Sequence, residues 1–290
     1  MNYKIAAVVV TYNRLELLKQ CINSLRNQTH KLDEIIIVNN SSTDGTLEWL
    51  NQQNDLTLIT QENSGSAGGQ FTGIKTAYEK GFDWIWCFDD DCLPDQNALQ
   101  NLVIHISDDR KVLNSIVLSS ENSQNLSFGL YDKNKNKVYR NLSEIENELI
   151  PSANFFNGTL LNNEIVKKVG LPIKELFIRG EEYEYFLRIK RAGLKIFTIR
   201  SAKVYHPSEI KIIMDNFLFR YEYLELDHLK RFYFIRNLIY ITKVYQEQNV
   251  YTLIKIILMD ILIISFRLKL KILYYEFKGI LYGFKLNPSI

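Results

Sequence analysis

The first hundred or so residues switch repeatedly between two hydrophobic periods, and that alternation leaves few folds open. Ile5–Thr11 is an unbroken, mostly β-branched run of strand length, and Leu18, Cys21, Ile22 and Leu25 then recur at the spacing of one helix face. Glu34–Val38 reads as a second strand. SSTDGT follows, with Ser42, Thr43 and Asp44 as N-cap residues for a helix carrying Leu47 and Leu50. Leu56–Thr60 is a third strand, NSGSAGG (Asn63–Gly69) opens a helix through Phe71, Ile74 and Ala77, and Trp84–Phe88 is a fourth strand. Such repetition builds a parallel α/β sheet with helices on both faces, and ligands of these sheets bind beyond the carboxyl ends of the strands. Thr11–Arg14, Asn39–Asp44, Asn63–Gly69 and Asp89–Asp91 all fall at those ends.

The chemistry concentrates in WIWCFDDDCLP (84–94), an apolar run ending in Asp89, Asp90 and Asp91, with Pro94 read as evidence that the strand has stopped. Three adjacent carboxylates at a partly desolvated strand end repel one another unless a cation offsets them. A hard divalent ion, Mn²⁺ or Mg²⁺, suits them, because it takes oxygen ligands and leaves positions for phosphates. The alternative is a solvated acidic loop capping a helix that begins near Asp95. Gly65, Ser66, Ala67, Gly68 and Gly69 are small enough for a phosphate to approach backbone at a helix start, although tight turns use the same residues.

At 290 residues and 46% hydrophobic side chains, the chain can bury a full core. Net charge is only +2, but residues 211–290 carry 12 Lys/Arg against 7 Asp/Glu while residues 1–210 carry 23 against 26. Three cysteines, Cys21, Cys87 and Cys92, lack metal-type spacing and suggest reduced thiols in a cytoplasmic protein.

In order, VVVTYNR, VNNSSTDGT, NSGSAGG and DDDCLP resemble the glycosyltransferase family 2 enzymes, and the likeness continues through Asn157–Gly158, Val169–Pro172, FIRGEEYEYFLRIKRAG (177–193) and RFYFIRN (231–237). It spans roughly residues 4–240. The resemblance implies a GT-A fold, a Rossmann-like mixed sheet flanked by helices, with a C-terminal helical extension. Residues 1–210 would be the catalytic domain, 1–95 the nucleotide-sugar half and 96–210 the acceptor half, with 211–290 a helical region. By the same resemblance Thr11, Tyr12 and Arg14 flank the nucleotide base with Asn40 and Asp44 nearby. Asn63, Gly65, Gly68 and Gly69 serve the diphosphate, Asp89 and Asp90 the nucleotide sugar, and Asp91 with His206 the metal. Asn39 stands where the family usually has Asp, so it keeps an acceptor for a base N3–H but adds a donor and loses the charge. Asn157, Gly158 and Glu181 are expected on the acceptor side.

Beyond Gly180 the sequence reads as a helix on which Glu182, Tyr185, Phe186 and Ile189 share a buried stripe, while Glu184 faces Arg188 and Glu181, on that side, is either solvated or a group supporting the site. The resemblance implies that Glu182, where the family usually has Asp, deprotonates the acceptor in an inverting transfer. It also implies a nucleotide-diphosphate sugar donor and a lipid-linked glycan acceptor in cell-surface polysaccharide synthesis. The motifs are most similar to the galactofuranosyltransferase branch, with dTDP-rhamnose transfer as the runner-up. A sugar nucleotidyltransferase would need a basic glycine-rich signature near the first strand, which TYNR does not provide. A non-catalytic sugar-nucleotide or glycan-binding module of the same fold is the rival from another class.

From Tyr251 to Leu286 the chain holds 6 Lys/Arg against 2 acidic residues among abundant Leu, Ile, Tyr and Phe. Asp260 and Arg267 break its apolar run below the roughly 20 residues a span needs. Two readings remain open. Lys255, Arg267, Lys269 and Lys271 could meet anionic headgroups on the inner face of the cytoplasmic membrane, giving a peripheral association. Alternatively the helices pack on protein, including a second subunit. The basic face lacks polar base-reading residues, which argues against nucleic acid.

Overall fold

Aliphatic side chains without a polar interruption make Ile5–Thr11 the central strand, β1, buried along its whole length as a strand covered on both faces must be. In the computed structural model, which describes residues 3–132, 134–208, 211–215, 220–246, 250–267 and 269–288, the elements that follow are α1 (Leu15–Arg26), β2 (Glu34–Asn39), α2 (Thr46–Leu50), β3 (Thr57–Thr60), α3 (Gly65–Glu79) and β4 (Trp84–Asp89). These are the expected elements to within a residue at each strand end. At α2 the N-cap is Gly45 at φ +89° rather than one of the three polar residues before it. Only a residue tolerant of the left-handed region fits there.

The chain continues through β5 (Leu93–Pro94), α4 (Ala98–Val103), β6 (Val112–Ser119), β7 (Asn125–Asp132), β8 (Lys137–Asn141), β9 (Leu149–Ile150), β10 (Asn157–Asn162), α5 (Asn163–Val169), α6 (Glu181–Arg191) and β11 (Phe197–His206). Among the described residues, eleven strands form one mixed sheet in the order β3-β2-β1-β4-β10-β6-β11-β5, with the β7–β8 hairpin attached through β6 and β9 on β11. The first four strands are parallel, β10 runs antiparallel to both its neighbours, and β11 is parallel to β6. Pro94 does not lie past the strands. It pairs with Val204 in the edge strand β5, where its missing N–H costs no ladder bond.

Successive β1 side chains point to opposite cores. Ile5, Ala7 and Val9 join Leu18, Cys21, Ile22 and Leu25 of α1, whereas Ala6 and Val8 join Ile74 and Ala77 of α3. The order in which strands are added to the sheet reverses between β1 and β4, because β2 and β3 lie on one side and β4 on the other. The crevice for a ligand in such sheets opens at that point. Val10 pairs with Asp89 and Thr11 with Asn39, so three strand ends are level there. All three cysteines are buried, and burial pushes each thiol above its ordinary pKa.

The backbone divides into two compact units, Met1–Lys174 with Tyr185–Ser208, and Glu175–Glu184 with Glu209–Ile290. The second holds an antiparallel hairpin, β12 (Lys211–Asp215) and β13 (Arg220–Leu224), followed by α7 (His228–Tyr245), α8 (Val250–Phe266) and α9 (Leu270–Lys285). Asp227 caps α7, accepting the Leu229 and Lys230 N–H groups at 2.9 Å. Gly279 and Gly283 bring α9 against α7. A Cβ on either would lie 2.8 Å from a backbone oxygen, of Phe232 or of Arg236. Among the described residues no helix is long and apolar enough to cross a membrane. Two of the four cations expected to face lipid are engaged elsewhere, since Arg267 and Lys269 both reach Glu225.

At the centre of these helices Arg231 is almost fully buried, donates to Asp260 at 2.7 Å, and lies 3.7 Å from Glu276. One cation cannot neutralise two buried carboxylates. Burial pushes Glu276 up to about 8 despite the opposing pull of Arg231. Its folded pKa thus exceeds its unfolded one, so the native state holds the extra proton and stability falls as pH rises from the ordinary carboxylate range towards about 8. The melting temperature is expected to drop between about pH 6 and about pH 9 in the wild type and to drop less in Glu276→Gln, read by circular dichroism.

Candidate active site

β4 delivers the acidic cluster to the switch point, and the loop after β1 closes over it. Thr11 Oγ1 donates to Asp90 Oδ2 at 2.7 Å, the Tyr12 N–H points to the same oxygen at 3.4 Å, and Arg14 Nη1 reaches Asp90 Oδ1 at 3.2 Å. Arg14 also contacts Asp91, which on its other side lies 3.1 Å from His206 Nε2 at the end of β11. Ser66, in the first turn of α3, donates to Asp89 at 3.3 Å. Three segments distant in sequence therefore converge on three consecutive carboxylates.

Their proton affinities diverge accordingly. Burial, reinforced by Asp91 and Asp90, pushes Asp89 up to about 7. Burial also lifts Asp90, to about 6, against the pull of Arg14 and Thr11. For Asp91 burial acts in the same direction, but His206 and Arg14 overcome it and hold the carboxyl at about 2. Asp91 is thus the committed anion of the three. Burial pulls His206 down, and the Asp91 carboxylate more than restores it, so the imidazole sits above its usual value. Perturbed neighbours of this kind cluster at functional sites.

The donor set fits a hard divalent cation. His206 Nδ1 lies 2.6 Å from the Pro207 carbonyl, which can only accept, so in neutral imidazole the Nε2 lone pair is turned towards Asp91. Cys92 lies within 4.8 Å of both groups, and its soft sulfur suits a hard cation less well than the carboxylate does. Its thiol donates to Asn157 Oδ1 at 3.2 Å, and burial keeps it protonated.

Other expected contacts have structural partners. Arg14 is held on Asp90 and Asp91. Asp44 accepts the Leu15 N–H at 3.0 Å and the Thr46 N–H at 3.2 Å, joining the starts of α1 and α2. Asn40 donates to the Gly65 carbonyl and accepts from Gln61, so its amide is spent, and Asn63 accepts the Gly65 N–H. Gln61, not foreseen from sequence, also donates to Ser64 and accepts from Thr72. Asn39 is different. Its Oδ1 accepts the Ser42 N–H at 3.0 Å, while the buried Nδ2 has no partner among the described residues. The oxygen expected to meet a base N3–H thus already holds one hydrogen bond and keeps one lone pair, and a donor is left over.

Two glycines of α3 pack closely against protein. A Cβ at Gly69 would meet Val10 Cγ1 at 2.2 Å, and one at Gly68 would meet Ser64 Oγ at 2.1 Å, so neither position has room for a side chain. What α3 offers an anion is its N-terminal dipole beside Asp89. Asn157 donates to the Phe155 carbonyl and accepts from Cys92, and Gly158, at φ +87°, sits where β10 slips one residue against β4. A glycine suits that bulge.

On α6 the buried stripe is rotated from its expected position. Glu181 and Glu184 are buried, and Glu182 is half-buried with its carboxylate accepting the Gly180 N–H at 3.0 Å. Tyr185, whose hydroxyl donates to the Gly170 carbonyl at 2.9 Å and whose ring stacks on Phe156, lies on the same helix face as Glu181, four residues before it. Phe128, also unforeseen, packs its ring 4.9 Å from that of His206.

Comparison with known families places this geometry. The family model described as glycosyl transferase family 2 matches residues 6–161, which include β1, the level strand ends and the acidic cluster. The chain belongs to glycosyl transferase family 2. It is a glycosyltransferase with a GT-A-like mixed sheet. Among this family member's relatives, the galactofuranosyltransferase GlfT1 of Mycolicibacterium smegmatis is 31% identical over 249 residues, covering 80% of this chain and 81% of that one. The dTDP-rhamnosyl transferase RfbF of Shigella flexneri is 26% identical over 209 residues, covering 71% and 70%. The crystal structure of Staphylococcus aureus TarS 1–349 superimposes with a TM-score of 0.53 at 18% identity, covering 70% of this chain and 60% of that one. At that identity the likeness concerns the fold.

Gly69→Ala should destabilise the protein by about 1–3 kcal/mol through overpacking against Val10, as denaturant titration would read.

Proposed function

We propose that this family 2 enzyme transfers galactofuranose from UDP-galactofuranose, with inversion, to a hydroxyl of a lipid-linked glycan during cell-surface polysaccharide synthesis. The similarity to GlfT1 across four-fifths of both chains carries the donor assignment. The RfbF relative makes dTDP-rhamnose the second reading.

Asp91 and His206 would hold Mn²⁺ or Mg²⁺, which when bound offsets the charge that develops on the departing diphosphate. Arg14 lies on the same carboxylates and offers a protein cation at that edge. Asp89, with Ser66 on its carboxylate, serves the nucleotide sugar. Glu182 is assigned as the base. Its carboxylate takes the acceptor hydroxyl proton while the acceptor oxygen bonds to the anomeric carbon. The bond from that carbon to phosphate breaks, and its electron pair leaves with the nucleoside diphosphate. One displacement of this kind inverts the anomeric centre and forms no sugar–enzyme bond. Glu181 is assigned to the acceptor side. The acceptor's lipid would keep the protein at the inner face of the cytoplasmic membrane.

Purified protein incubated with UDP-galactofuranose, dTDP-rhamnose and common UDP-hexoses should hydrolyse the first slowly and the others negligibly; comparable hydrolysis of all would remove the donor assignment. Glu182→Gln should lower transfer by about 10²–10⁴-fold while donor binding persists. Asp91→Ala should abolish the Mn²⁺-dependent part of UDP binding in isothermal titration, and metal-independent binding of equal strength in the wild type would refute the metal role.

A further inference from the structure

The helices of the second unit present apolar side chains outward as well as inward. On α8, Ile254, Leu258 and Leu262 recur every four residues at 48–60% exposure, opposite the buried Leu253, Ile263 and Ile264. On α9, Leu270, Tyr274, Phe277, Leu281 and Phe284 form a second stripe, 49–71% exposed, while Glu276, Gly279 and Gly283 face the core. Large outward apolar surface marks an interaction site.

The charges identify the partner. Lys271, Lys278 and Lys285 follow one another at seven-residue intervals, two helical turns apart, along one flank of the α9 stripe. Lys255 lies beside Ile254 and Leu258 on α8. The two acidic residues of these helices, Asp260 and Glu276, are both turned inward onto Arg231. The outward faces therefore combine apolar and cationic groups and carry no acidic side chain. A two-fold contact with a second copy would bring two cationic faces together with no acidic side chain between them, which is unfavourable. An anionic sheet with an apolar interior satisfies both features, with lysines in the headgroups and Leu, Phe and Tyr at the acyl boundary.

We propose that the outward faces of α8 and α9 are a seat for an anionic lipid bilayer, reached by Phe277 and Leu281 and held by the exposed Lys271 and Lys285, while Lys278 rests over the rings of Phe232, Tyr275 and Tyr282. This deepens the membrane setting proposed above, yet it stands on a surface remote in sequence from the catalytic motifs, and vesicle binding reports on it whether or not any donor is turned over.

The test is flotation of the full chain with vesicles of phosphatidylcholine alone or mixed with phosphatidylglycerol, across a salt series. The protein should float with the anionic vesicles and be released by salt. Lys271→Glu with Lys285→Glu should weaken binding by at least about 25-fold, on the order of fivefold for each lysine. Phe277→Ser with Leu281→Ser should also weaken it, with an unchanged circular dichroism spectrum showing that the fold is kept. Should a variant misfold, the wild-type dependence on lipid charge and salt decides alone. Absence from the anionic vesicle fraction overturns the proposal, as does equal, salt-insensitive flotation with neutral vesicles. A dimer in sedimentation velocity that Phe277→Ser with Leu281→Ser dissociates, with no vesicle binding, assigns the face to a second copy instead.

Discussion

Three consecutive carboxylates at the end of a buried strand cannot all be charged without help, and much of the first unit is arranged to supply that help. Thr11 and the Tyr12 N–H contribute hydrogen bonds, and Arg14 and His206 contribute positive charge. The outcome is unequal: Asp91 stays firmly ionised while Asp89 and Asp90 are lifted towards neutrality. Such inequality suits a site that holds a cation with one group and recognises a polar ligand with its neighbours. It also accounts for the tight junction of the β1 and β4 loops, which a solvated acidic turn would not need.

The parallel half of the sheet was legible because its strands are covered on both faces and its helices are amphipathic, so the two periods stand out along the chain. The antiparallel half was not. β7 and β8 mix buried and exposed residues around a hairpin, β5 and β9 are two residues each, and Pro94 signals a break where an edge strand accepts it. At the candidate site, residue types were readable but not their partners. Side-chain amides illustrate this: sequence alone does not reveal that Ser42 occupies the Asn39 oxygen or that Cys92 occupies that of Asn157. The glycines after Asn63 read as a phosphate loop or as a tight helix start, and the sequence does not show that Gly69 lies against Val10. On α6 two adjacent stripes share Tyr185, and the sequence does not tell whether Glu181 or Glu182 lies on the more buried one.

The second unit solves a different electrostatic problem. Arg231 is buried among helices with the rings of Tyr223 and Phe234 over its guanidinium, 4.7 and 5.6 Å from their centroids, and with Asp260 as its close counter-ion. Pairing a buried charge recovers most of what burying it costs, while the surplus Glu276 is kept uncharged by its surroundings. Turning both acids inward leaves the outer surface of α8 and α9 without a negative charge, so internal pairing and surface chemistry are set by the same two residues.

The burial of Cys21, Cys87 and Cys92 has a practical consequence. Thiolate is the reactive form, and all three sulfurs are enclosed and held protonated. Alkylating probes should therefore pass over the native chain, and a single cysteine engineered at any solvent-facing position would take a fluorophore or spin label selectively without first stripping out the natural ones.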